Sequence, residues 1–115
     1  MAFDPSNPKL FVAYRMPALI TMFNTRTGEL KARLPTCGDA DDVFYDAKRE
    51  RVYVICGDGS ITVLAASGER LEELSRLATR PGARTGYYAP ELDLLFVAAP
   101  ARDSKPAEIQ VYQPR

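Results

Sequence analysis

Apolar positions in this chain fall into short dense runs separated by polar, turn-forming segments. Three runs stand out: Leu10-Phe11-Val12-Ala13, Val52-Tyr53-Val54-Ile55 and Leu95-Phe96-Val97-Ala98, spaced by 42 and then 43 residues. An aromatic landmark precedes each, at Phe3-Asp4, Phe44-Tyr45-Asp46 and Tyr87-Tyr88-Ala89, and the six-residue connectors (Asp4 to Lys9, Asp46 to Arg51, Ala89 to Leu94) match in length. A second apolar run follows, at Leu19 to Phe23, Ile61 to Leu64 and Ile109 to Tyr112. After the first two of these come Thr27-Gly28-Glu29 and Ser67-Gly68-Glu69, which read as glycine turns. A fourth segment follows them, Leu30 to Leu34 and Leu71 to Ala78. Agreement of several landmarks in one register establishes an internal repeat.

The runs are rich in β-branched and aromatic residues, which suit a pleated surface. They are nearly unbroken instead of alternating, as expected of strands buried on both faces. Four short strands every 42 or so residues is the spacing of a β-propeller blade, and blades stacked around an axis bury both faces. The sequence therefore predicts an all-β partial β-propeller of about three four-stranded antiparallel blades with the last outer strand missing. The boundaries are blade 1 over 1–38, blade 2 over 39–81 and an incomplete blade 3 over 82–115. One segment competes: Glu69 to Arg80 places Leu71, Leu74 and Leu77 at helical spacing. Its counterpart Leu30-Lys31-Ala32-Arg33-Leu34 alternates with period two, so a strand is expected there.

These residues resemble the YVTN-repeat β-propeller family. Phe11-Val12-Ala13-Tyr14 and Tyr53-Val54-Ile55-Cys56 take the place of its Tyr-Val-Thr-Asn strand. Asn24-Thr25-Arg26-Thr27-Gly28-Glu29-Leu30, followed by Leu34-Pro35-Thr36-Cys37-Gly38, takes that of the Thr-Gly-Lys-type turn, the outer strand and the Pro-x-Gly step. The Thr-Asn of the namesake motif is absent from all three units. The resemblance covers the whole chain and implies the carboxyl-terminal part of a longer propeller, in proteins that are often periplasmic or secreted. It also implies that full-length relatives include lactonase-like and quinoprotein-like proteins.

Composition narrows the chemistry. The 115 residues are 46% hydrophobic and 26% charged, with 15 basic and 15 acidic side chains and a net charge of zero. That balance describes a globular chain and offers no electrostatic footprint for nucleic acid or an anionic membrane. Histidine is absent, which removes histidine-based triads and histidine metal ligands. The amino terminus shows no signal peptide, and no apolar run approaches a membrane span. Cys37 and Cys56 lie outside any CxxC or Cys/His cluster. They read as two partly buried thiols, with a disulfide as the second reading.

In the resembling fold, ligands bind at the channel mouth formed by the loops before the innermost strands and those between the second and third strands. These loops carry the candidate ligand-binding residues Asp39, Asp41, Asp42, Arg84, Arg15 and Arg102. The acidic cluster suits a hard cation, but the spacing of an EF-hand is missing. No metal site, catalytic residue or cofactor is assigned. Alignment on the repeat sets Asp41 or Asp42 beside Arg84, as a polar ligand contact or an inter-blade salt bridge. Gly57-Asp58-Gly59 reads as a hairpin turn, since the rest of a phosphate loop is absent. Tyr45, Tyr87 and Tyr88 read as core tyrosines. The resulting expectation is a non-enzymatic binding or interaction module that self-associates into a homo-oligomer or uses additional propeller blades to close a ring. A small-molecule ligand is expected at the mouth, with no nucleic acid and no membrane as partners. The alternative is a segment of a lactonase-like or quinoprotein-like enzyme.

Overall fold

The computed structural model describes all of residues 1–115, and every ordered element is a strand. The first sheet contains β1 (Ala2–Phe3), β2 (Lys9–Tyr14), β3 (Leu19–Asn24) and β4 (Leu30–Pro35). The second contains β5 (Ala40–Asp46), β6 (Arg51–Cys56), β7 (Ser60–Ala65) and β8 (Glu72–Ala78). The third contains β9 (Thr85–Ala89), β10 (Leu94–Ala99) and β11 (Glu108–Tyr112). Neighbours in sequence are neighbours in each sheet, and all pairs are antiparallel. This is the expected partial propeller: blades of four, four and three strands, the last without an outer strand.

The segment with helical leucine spacing is the strand β8, exposed along its whole length. Strand β7 explains this choice, because its outer edge needs a partner for its backbone amides and carbonyls. A helix would leave that edge of an otherwise buried strand unpaired.

The repeat extends to the register. Ala2 pairs with Phe11, Phe44 with Tyr53 and Tyr87 with Phe96. On the next strand Phe11 faces Met22, Tyr53 faces Val63 and Phe96 faces Val111. Even the bulge recurs, between Met22 and Phe23 in the first blade and between Val63 and Leu64 in the second. Because side chains alternate across a strand, identical register puts equivalent residues on equivalent faces.

Blade 2 shows why its runs are unbroken. Val52, Val54, Cys56 and Leu64 pack with Phe11, Ile20 and Met22 of blade 1. The intervening Tyr53, Ile55, Ile61 and Val63 pack with Tyr88, Leu95 and Val97 of blade 3. Full burial of each such side chain contributes roughly 1.5–3 kcal/mol, so both faces of this one sheet hold the molecule together. At Gly86 on β9, an added Cβ would meet the Phe96 carbonyl oxygen at 2.6 Å, and only glycine permits that approach.

Cys37 and Cys56 form a disulfide, with their Cα atoms 5.9 Å apart. The thiol reading is therefore corrected. The cause is register: Cys56 lies opposite Ala40, just beyond Cys37 in the loop between β4 and β5.

Candidate channel-mouth site

The loops entering β5 and β9 meet the turn between β6 and β7 at one edge of the sheets. Backbone bonds knit them: Gly57 N–H donates to Asp39 O at 2.8 Å, Gly82 N–H to Gly57 O at 2.8 Å, and Thr79 N–H to Gly59 O at 2.7 Å. The Asp58 carboxylate accepts from Gly38 N–H at 2.8 Å and from the Ser60 hydroxyl at 2.6 Å. With the disulfide beneath, this rim is a cross-linked platform.

Charged side chains span it in a chain. Arg15, from the first blade, donates through Nε to Ala40 O at 3.0 Å, lies 3.4 Å from Asp39 Oδ1 and pairs through Nη2 with Asp41. Arg84, from the third blade, pairs through Nη1 with the other oxygen of Asp39. Asp39 is thus the hub, and Arg84 does not pair with Asp41 or Asp42 as the alignment suggested. Two backbone features cause the change. Asp39 sits at φ 61°, and the pairing of β5 with β6 shifts register between Ala40 and Asp42. Asp42 Oδ2 instead accepts from Gly86 N–H at 3.0 Å. Arg102 joins none of this and approaches only Asp103, at 3.6 Å, on the long loop before β11.

Gly57 lies directly under the Arg84–Asp39 pair, where any Cβ would touch both groups. The ion pairs are about half exposed, so each contributes on the order of 0–1 kcal/mol. Their charges cancel pairwise and leave no free base. Each guanidinium carries five donors and spends only some of them here, which leaves capacity for an acceptor ligand. The Cys37 and Cys56 sulfurs and an Asp58 oxygen lie within 4.8 Å of one another, but the sulfurs are bonded to each other and offer no thiolate.

Two further constellations escaped the sequence reading. At the opposite edge, fully buried Asp46 accepts the Tyr53 hydroxyl at 2.6 Å and Arg49 Nη1 at 3.1 Å. Arg49 also grips Asp93 of the third blade with two bonds, at 2.6 and 2.7 Å. Burial pushes the Asp46 pKa up, yet hydrogen bonds from Tyr53, Arg49 and Tyr88 together hold it below the usual carboxylate range. Burial first and Asp46 second raise the Tyr88 hydroxyl to about 12. Asp4 is the counterpart in the first blade: it caps the turn by accepting from Ser6 N–H at 2.8 Å and is approached by the Tyr45 hydroxyl. The signal was present, since Asp4 and Asp46 both end an aromatic landmark. Tyr45 stacks on Phe11 with ring centroids 5.2 Å apart, and Tyr88 packs tilted against Tyr53 at 5.5 Å, whereas Tyr87 is exposed and outside the core.

The second constellation is Arg80, whose guanidinium is almost buried. It donates to the carbonyls of Pro100 and Pro106 at 2.9 and 2.8 Å and pairs with Glu108 at 2.9 Å. It fastens the long loop of the third blade to the second.

No protein-family model and no curated protein matches this chain. Among solved structures it is similar to dihydro-heme d1 dehydrogenase NirN in complex with DHE, with a TM-score of 0.67 and 15% identity over 84% of this chain and 22% of that one. The chain spans about a fifth of the length of that protein, and at this identity the likeness concerns the fold alone. With three sheets of four, four and three antiparallel strands, the molecule is a segment of a β-propeller-type fold.

Proposed function

We propose that this chain is a non-enzymatic propeller segment of the YVTN-repeat kind, comprising blades 1–38, 39–81 and 82–115. It serves as a binding or interaction module once further blades or a second chain complete the ring. The observation that carries the reading is the rim itself. Arg15, Asp39, Asp41 and Arg84 neutralise one another across three blades, and the remaining rim carboxylates, Asp42 and Asp58, are engaged by the backbone amides of Gly86 and Gly38. This arrangement is suited to holding loops and not to the free base or activated nucleophile that turnover requires. Such a rim suits recognition of a small polar ligand by the unused guanidinium donors at the mouth.

The test is turnover. Incubation with a simple lactone or p-nitrophenyl acetate, with and without Ca²⁺, is expected to give hydrolysis no faster than buffer. Hydrolysis that disappears in Asp41→Asn or Arg84→Gln would replace this reading with the lactonase-like one.

A further inference from the structure

We infer that the two outer faces of this chain are built for each other, so that blade 3 of one copy receives blade 1 of a second copy head to tail. The assignment rests on the propeller-segment reading and names its partner.

The internal joints define what a joint in this molecule needs. On one side stand Phe11, Ala13, Ile20 and Met22 of blade 1, or Tyr53, Ile55, Ile61 and Val63 of blade 2. By register, blade 3 carries the same set on its outer face as Phe96, Ala98, Ile109 and Val111. Ile109 and Val111 are 62% and 55% exposed, and an open groove of about 690 Å³ runs past Ala98 and Ile109. The receiving sets are Val52, Val54 and Leu64 of blade 2, and Leu95, Val97 and Tyr112 of blade 3. Blade 1 carries their equivalents outward as Leu10, Val12 and Phe23, which line a groove of about 410 Å³.

Apolar faces alone would accept any blade, so the polar fastenings decide the occupant. At the joint between blades 1 and 2, the Tyr45 hydroxyl lies near Asp4; between blades 2 and 3, the Tyr88 hydroxyl lies near Asp46, whose carboxylate bonds Tyr53 and Arg49. The outer faces lack both halves of this device. Phe3 stands in the tyrosine position without a hydroxyl, and Ala89 stands in the aspartate position without a carboxylate. The second fastening behaves alike. Arg49 grips Asp93 between blades 2 and 3, and the equivalent positions on the outer faces are Leu92, 61% exposed, and Pro8.

Each polar group is thus lost together with its partner. A foreign blade bringing the repeat's tyrosine against Ala89, or its aspartate against Phe3, would bury a polar group without a mate, at a cost of about 1–3 kcal/mol. A second copy brings Phe3 and Pro8 to Ala89, Leu92 and Phe96, and leaves nothing unsatisfied. Two copies supply six blades, within the four to eight of closed propellers. The contact is heterologous, and its twofold repetition closes the pair.

Light scattering on the full chain at micromolar concentration tests this. A species of twice 12.7 kDa is expected. Leu92→Arg, on an exposed turn, should weaken the pair tenfold or more by setting a guanidinium against Pro8. Leu92→Met, which keeps the bulk and adds no charge, should leave the pair intact. A folded monomer overturns the inference while leaving the propeller-segment reading intact, with other blades as partners. A dimer indifferent to Leu92→Arg also overturns it, because another surface such as the open edge of β11 then holds the copies. Hydrolytic turnover would remove the reading beneath without changing the measured mass.

Discussion

Blades 2 and 3 fasten the same place by different chemistry. In blade 2 the incoming loop is tied down by Cys37, bonded to Cys56 at the end of β6. One repeat later those positions are Arg80 and Ala99, and the incoming loop is tied by the guanidinium of Arg80. A disulfide joins two points a fixed distance apart, and the turn that follows Cys56, Gly57-Asp58-Gly59, is only three residues long. An arginine fork has reach and several donors. It holds the eight-residue loop 100–107 by both shoulders and satisfies carbonyls that no sheet can reach. A covalent tie therefore accompanies a short, uniform turn, and a hydrogen-bonded tie accompanies the long, variable one.

The largest expected effect comes from breaking the covalent tie. Cys37→Ser with Cys56→Ser should cost about 3 kcal/mol, the value for closing a loop of roughly this size. Urea unfolding followed by circular dichroism measures it, and a loss below about 1 kcal/mol would mean that the surrounding rim bonds suffice. Arg80→Met keeps the bulk of the stem but abandons two carbonyls and a carboxylate, with an expected loss of about 2 kcal/mol. Its second readout is local: limited proteolysis should cut within 100–107 in the variant and spare the parent.

Acid probes the joints between the blades. Asp4, Asp46 and Asp93 all have pKa values depressed in the folded chain. Depressed carboxylates favour folding above their unfolded pKa of about 4, and that contribution is lost as pH falls through the lower folded values. Thermal midpoints should hold from neutrality to about pH 5 and then drop, and in Asp46→Asn the drop should be shallower. The smallest effect belongs to the mouth. Arg84→Gln should change stability by less than about 1 kcal/mol because the pair is half exposed; a larger loss by urea unfolding would make that pair a structural bolt.

The fold was legible because the repeat length, the aromatic landmarks and the unbroken runs all encode one register, which the strand pairs obey. Leu71, Leu74 and Leu77 compete with helical spacing, but the period-two counterpart Leu30 to Leu34 points to the strand that β8 forms, where the edge of β7 needs a partner. The mouth was half legible. The repeat alignment set Arg84 beside Asp41 or Asp42, but a single register shift at Ala40 and a left-handed Asp39 bring it to Asp39 instead. The disulfide was hidden because Cys37 and Cys56 have no cysteine counterparts in blade 3. Aspartates that cap turns, such as Asp46, look like any polar residue after a strand until the neighbouring blade supplies the arginine and tyrosines.

The clamp on the long loop has a practical side. Arg80 seizes Pro100 and Pro106, while the tip between them is closed by Arg102 and Lys105 exchanging backbone bonds at 3.0 and 2.9 Å, with Asp103 and Ser104 turning at positive φ. Nothing at that tip touches the sheet's hydrophobic contacts. A foreign peptide exchanged for Asp103-Ser104 would be displayed at the open end of a self-contained hairpin while both shoulders stay fixed, which makes this turn the natural grafting point of the molecule.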